Sequence, residues 1–198
     1  MPRKPRYYLP GVPVHIVQRG HSREPIFFEA QDYATYAYWL GEGAQKYEVA
    51  IHAFVFMTNH IHLLVTPEDG IQISRLMQFI GRRYVPYLNH KYGRSGSAWE
   101  GRYKASLVQD DAYLFTVMRY IELNPVRAAM VVRPGQYRWS SFCHNAGIRE
   151  ISFLRFHSLY EKLGKTREDR HRAYCDMFEG TMDEGDIKLI RESWQSGT

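Results

Sequence analysis

The chain has 198 residues, 44% of them hydrophobic, which suffices for one packed domain with an extension and excludes a disordered tract. A formal net charge of +5 and an isoelectric point near 9.2 permit a nucleic-acid partner without requiring one. Cys143 and Cys175, in no Cys-x-x-Cys pair, exclude a disulfide framework or zinc knuckle, and the absence of a run of about 18 apolar residues or a signal-peptide core points to the cytoplasm, with no membrane partner.

Residues 1–11 read as a basic, proline-rich arm carrying Arg3, Lys4 and Arg6. Residues 12–18 alternate as a strand and end in Arg19-Gly20-His21-Ser22-Arg23. Over 30–47, Tyr33, Tyr36, Ala37, Leu40, Ala44 and Tyr47 recur at helical spacing, weakened by Gly41 and Gly43. Residues 49–65 are the longest apolar run, broken only at Thr58-Asn59, and predict two buried strands joined by a short turn. A second helix is expected over 71–89, with Ile73, Leu76, Met77, Ile80 and Leu88 inside and Arg75, Arg82 and Arg83 on its polar flank. Pro86 is expected to kink it or end it early. A Gly/Ser loop with Trp99 leads into a fourth strand over 103–109. Asp110 is a candidate N-cap for a helix to about Leu123, with Leu114, Val117, Met118 and Ile121 buried. Asn124-Pro125 interrupts it, because a residue before proline resists the helical region. Two polar helical segments, near 166–179 and 183–194, complete the chain.

This order predicts an α+β fold: a ferredoxin-like antiparallel sheet of about four strands with helices packed on one face, plus a helical C-terminal extension. The expected divisions are the arm at 1–11, a catalytic domain at 12–145 and the extension at 146–198.

On a strand, side chains two apart share a face, so His60 and His62 project together while Ile61, Leu63 and Val65 face the other way. Two parallel imidazoles make half of a metal site. Tyr120 and Asn124, four apart at the end of a helix, share a face, and Asn124 offers an amide oxygen. Two imidazoles and one amide leave room for water and a phosphate oxygen, which suits a catalytic ion, Mg²⁺ or Mn²⁺, better than a structural one. A tyrosine, with a reference pKa of ~10, becomes a useful nucleophile where a metal polarises the phosphate, giving a DNA-linked phosphotyrosine. Its bond energy is retained, so no ATP is needed. Gly164-Lys165-Thr166 imitates the tail of a Walker A loop, but Leu159 stands at the first glycine position. Arg102 and Lys104 beside Trp99 are candidates for gripping a strand by charge and stacking, and Arg119 and Arg127 flank Tyr120 as candidate phosphate contacts. Arg82 and Arg83 are read as either phosphate contacts or a solvated face. His15, His21, His52, His90, His144, His157 and His171 have no partner spacing and read as ordinary.

His60-Ile61-His62 resembles the His-hydrophobic-His signature of HUH single-strand nucleases. Tyr120-Ile121-Glu122-Leu123-Asn124-Pro125-Val126-Arg127-Ala128 resembles the nucleophile helix of their single-tyrosine transposases, in particular the REP-associated tyrosine transposases. Arg19-Gly20 with Arg23 and Ile26-Phe27, then Trp99-Glu100-Gly101-Arg102-Tyr103-Lys104 and Tyr137-Arg138-Trp139-Ser140-Ser141, support it in the same order over 12–145. The resemblance implies Tyr120 as nucleophile, His60, His62 and Asn124 as metal ligands, and hairpin-forming single-stranded DNA cut to a 5′-phosphotyrosine and a free 3′-hydroxyl. The candidate DNA contacts are Arg19, Arg23, Arg82, Arg83, Trp99, Arg102, Lys104, Arg119 and Arg127, and the expected location is the cytoplasm, in association with the nucleoid. Thr58 replaces the proline common before the motif, and asparagine replaces the glutamine of insertion-sequence relatives at position 124. Two alternatives stand beside this reading: a non-catalytic hairpin-binding domain of the same fold, and a replication or mobilisation initiator nuclease. Nothing in the sequence decides between a monomer and a homodimer.

Overall fold

Four antiparallel strands, β1 (Val14–Arg19), β2 (Val49–Met57), β3 (His60–Pro67) and β4 (Lys104–Leu107), form one sheet in the order β2-β3-β1-β4. The computed structural model describes residues 6–108 and 110–196. Helix α1 (Ala30–Lys46) joins β1 to β2, and α2 (Gln72–Tyr92) joins β3 to β4, which is the ferredoxin-like order. After β4 come α3 (Asp111–Glu122), α4 (Asn124–Arg127), α5 (Phe142–Asn145), α6 (Ser158–Glu161), α7 (Arg167–Asp176) and α8 (Glu184–Ser196). The expected strand end at Gln109, like Arg3 and Lys4 of the arm, lies outside the described residues. No helix among the described residues is long and apolar enough to cross a membrane.

Strand alternation divides the sheet into two faces. Ile16, Phe54, Phe56, Ile61, Leu63, Val65 and Ala105 point into a core made with α1 and α2. Val17, Ala53, Val55, Met57 and Leu64 point the other way, into a second core with α3 and the C-terminal helices. The α1/α2 pair keeps to one face, as expected; the extension is needed because the opposite face is apolar too and has to be covered. Tyr160, Tyr174, Ile187, Ile190 and Trp194 therefore share a core with β2, β3 and α3.

Several local outcomes differ from expectation, each for an identifiable reason. Helix α2 runs through Pro86. Proline removes its bond to the Arg82 carbonyl, but both residues are on the exposed side of the helix, where solvent can satisfy such a carbonyl, while Tyr84 and Leu88 stay buried on the far side. Gly43, read as a weakness of α1, marks a close crossing: a Cβ there would stand 2.7 Å from Leu76 Cδ1. The described end of the basic arm is docked, with Arg6 Nη1 donating to the Tyr103 carbonyl at 2.6 Å and the Tyr8 N–H to the Gly70 carbonyl at 2.9 Å. Asp32, buried in the first turn of α1, accepts from Tyr87 Oη, Lys91 Nζ and Tyr92 Oη at 2.7–2.8 Å, joining the start of α1 to the end of α2.

Candidate functional site

The hairpin between β2 and β3 is only Thr58-Asn59, and it is held from outside the sheet. The Thr58 carbonyl accepts the N–H groups of Ile26 and Phe27, and the Asn59 carbonyl accepts that of Gly20. The Asn59 side chain donates from Nδ2 to the Arg23 carbonyl at 2.9 Å, which turns its Oδ1 toward His60 Nδ1 at 2.7 Å. Because a carbonyl oxygen only accepts, His60 carries its hydrogen on Nδ1 and a lone pair on Nε2. In the sheet register His60 stands between Arg19 and Met57, and His62 between Val17 and Val55. Their rings lie on one face, 5.2 Å apart between centroids.

Both imidazoles are neutral near pH 7. Burial, and secondarily the Arg19 guanidinium across the strand, holds His60 at about 4. Burial also holds His62 well below 6.5, with smaller contributions from His15, His60, Arg19 and Arg127. Only neutral imidazole can ligate a cation, so the hydrophobic surroundings keep the lone pairs available.

Helix α3 crosses this face of the sheet. Asp110 caps it, its carboxylate accepting from the N–H groups of Ala112 and Tyr113, and Leu114, Val117, Met118 and Ile121 bury its apolar stripe. Tyr120 leaves the helix beside that stripe and is 3% exposed. Its ring lies 5.7 Å from that of His62 and 6.0 Å from that of His15, edge-on to both. Asn124 donates from Nδ2 to the Tyr120 carbonyl at 3.1 Å, and Oδ1 is its accepting end. Pro125 opens α4, and that turn brings the Arg127 guanidinium over the Tyr120 ring at 4.7 Å. Arg119 Nε and Arg127 Nη1 are buried donors without an acceptor among the described residues, on the turns that carry a candidate nucleophile. Such donors call for an acceptor from outside, such as a phosphate oxygen.

Helix α8 lies over the open side of this arrangement. Trp194 sits 6.5 Å from His62, flanked by the cations of Arg19 at 6.0 Å and Lys104 at 5.5 Å. A cavity of about 310 Å³ lined by Val17, Arg19, Glu100, Arg102, Lys104 and Trp194 opens beside it. Its three cations suit an anionic strand.

Other expected contacts fall elsewhere. Trp99 is corrected: it is 6% exposed and packs against Tyr36 and Tyr84 in the α1/α2 core, so it is no stacking platform. Arg82 and Arg83 lie on α2, across the sheet from Tyr120, with the Arg83 guanidinium 3.6 Å from the Phe79 ring centroid. There they line a groove of about 440 Å³ with Lys46 and Arg75. Arg23 lies in the loop after β1 and reaches the histidines through its carbonyl, by way of Asn59. His15, read as ordinary, is part of the site: its Nε2 is 2.9 Å from His62 Nδ1. Period-two alternation places His15 on a face with Val17, but only the strand register shows that this is the face of His62.

The donor set fits a divalent ion. No group of three or more His, Cys, Asp or Glu that could hold a metal occurs among the described residues. The candidate ligands are instead two neutral imidazoles, each with Nδ1 engaged, and an amide oxygen for a third.

A protein-family model described as "Transposase IS200 like" matches residues 9–124. No curated protein matches the sequence. Among solved structures, one of the REP-associated tyrosine transposase bound to a REP hairpin superposes with a TM-score of 0.61 at 18% identity, covering 79% of this chain and 99% of that one. At that identity the likeness is one of fold. Weaker matches are a putative transposase from Deinococcus radiodurans (TM-score 0.43, 21% identity, 61% of this chain and 95% of that one) and a bacterial tRNA(His) guanylyltransferase-like protein in complex with GTP (0.42, 13%, 66% and 73%).

Proposed function

The chain belongs to the family of IS200-like transposases and is a DNA-processing enzyme; from that premise we propose that it cuts and rejoins hairpin-forming single-stranded DNA through a covalent bond to Tyr120. The observation that carries this reading is the meeting of Tyr120 with His62 under α3, 5.7 Å between rings, within one chain.

In the proposed reaction the Tyr120 hydroxyl oxygen attacks the scissile phosphorus. The bond from phosphorus to the 3′-oxygen breaks, the strand downstream stays on Tyr120 as a 5′-phosphotyrosine, and the tyrosine proton is balanced by the one gained at the released 3′-hydroxyl. Attack by a 3′-hydroxyl on that bond reverses the step and joins strands. Arg119 and Arg127 would supply hydrogen bonds to the phosphate oxygens, since each has a buried donor without an acceptor among the described residues. Arg19, Arg102 and Lys104 would hold the approaching backbone by charge. His60 and His62, with Asn124, would hold Mg²⁺ or Mn²⁺. Such an ion, when bound, would supply Lewis-acid stabilisation of negative charge on phosphate oxygens. The hairpin preference rests on family membership and on the hairpin-bound protein of the same fold.

The test is a labelled single strand carrying a hairpin, incubated with Mn²⁺ or Mg²⁺ and resolved under denaturing conditions. An adduct and a free 3′-end are expected with wild-type protein, and neither with Tyr120→Phe or with chelator. Hairpin binding without nicking under either ion would leave a non-catalytic binding domain.

A further inference from the structure

His15 lies on β1, diagonal to His62 on the same face of the sheet, and the reaction above gives it no part. The two rings stack with centroids 5.2 Å apart and planes inclined by 17°, and His15 Nε2 is 2.9 Å from His62 Nδ1. A hydrogen bond between two neutral imidazoles needs one nitrogen with a hydrogen and one with a lone pair. If His62 donates from Nδ1, its Nε2 keeps the lone pair that an ion needs. If His15 donates from Nε2, His62 carries its hydrogen on Nε2 and cannot ligate there. His60 has no such choice, because Asn59 Oδ1 only accepts.

We propose that His15 is the positioning residue of the metal site: its Nε2 accepts the Nδ1 hydrogen of His62 and so fixes the tautomer and ring plane in which His62 Nε2 faces the ion. In this tautomer His15 carries its own hydrogen on Nδ1, which is buried without a hydrogen-bond partner among the described residues, so the ring's one hydrogen bond among them is the one to His62. The same ring is edge-on to Tyr120 at 6.0 Å, so one side chain sets the relation between candidate ligand and candidate nucleophile. A leucine at this position would leave the His62 N–H buried and unsatisfied when the ion is bound. Loss of an outer hydrogen-bond partner of a ligating histidine weakens metal affinity by about 10–100-fold.

This inference rests on the reading of His60 and His62 as metal ligands, and the experiment separates the two. Mn²⁺ alone is titrated calorimetrically into full-length wild type, His60→Ala, His15→Leu and His15→Gln, with thermal unfolding recorded for each. Wild type should bind, His60→Ala should lose the ion, and His15→Leu should bind about 10–100-fold more weakly. His15→Gln should recover most of the affinity, because its side-chain carbonyl accepts the same hydrogen. In ¹⁵N spectra of the wild-type Zn²⁺ complex, His62 should carry its hydrogen on Nδ1. Affinity of His15→Leu within twofold of wild type, or a hydrogen on His62 Nε2 with the ion bound, overturns the role of His15. No binding by wild type, or undiminished binding by His60→Ala, overturns the metal reading instead. Should His15→Leu fail to fold, the glutamine variant and the wild-type spectrum still decide.

Discussion

Glu122 is two positions beyond Tyr120, so the two side chains leave α3 on nearly opposite sides. Its buried carboxylate accepts from Ser141 Oγ, from Asn145 Nδ2 at 2.8 Å and from Tyr174 Oη at 2.8 Å. These bonds fix the rotation of α3 from behind and thereby aim Tyr120. Burial raises the Glu122 pKa from an ordinary 4.5 to about 7, against the opposing pull of the three donors. The folded state therefore holds this proton more tightly than the unfolded state. The stability it lends is full below about 4.5 and is lost as pH rises through about 7. Glu122→Gln can accept from Ser141 and Asn145 without ionising, so it should remove that slope. Urea unfolding at pH 5 and pH 8 should show wild type losing roughly 2–3 kcal/mol more than the variant. Parallel losses in the two proteins would contradict the assignment.

Among the elements, α8 has the most direct bearing on access. Tyr120 is 3% exposed and His62 2%, and Trp194 stands over His62 between two cations that suit a DNA backbone. A scissile phosphate has to reach Tyr120, and the indole occupies the approach from β1 and β4. Trp194→Ala should therefore form the tyrosine adduct several-fold faster, while losing about 3 kcal/mol of stability from the large buried ring. Single-turnover cleavage and thermal unfolding measure the two effects separately. Unchanged or slower cleavage by a folded variant would show that the strand enters from another side. The α3–α4 junction works in the opposite sense, since Pro125 ends one helix and starts the next, and so brings Arg127 onto Tyr120.

At the scale of the whole molecule, one sheet carries two separate cores, one structural and one bearing the candidate chemistry. Asp32 joins α1 to α2 on the face away from the histidines. Asp32→Ala should destabilise the protein by leaving the Tyr87 and Tyr92 hydroxyls without their acceptor, while Lys91 keeps Glu29, yet leave Mn²⁺ affinity unchanged. A fall in metal affinity by a folded Asp32→Ala protein would show that the cores are coupled. The sequence made much of this legible, because His60-x-His62 has strand period, Tyr120 and Asn124 have helix period, and 49–65 is continuously apolar. It did not show His15 beside His62, which depends on register between β1 and β3, nor Trp194, which reaches the site from more than 130 residues along the chain. Trp99 misled for a related reason, since an aromatic beside arginine and lysine reads the same whether it faces solvent or a core. The central claim is that Tyr120 is the residue that becomes joined to DNA. Its most direct test is mass spectrometry of protease digests after reaction with a hairpin-bearing strand and Mn²⁺. A 5′-phosphonucleotide on the peptide containing Tyr120 is the predicted result; a modification on another tyrosine, or none where the strand has been cut, would contradict it.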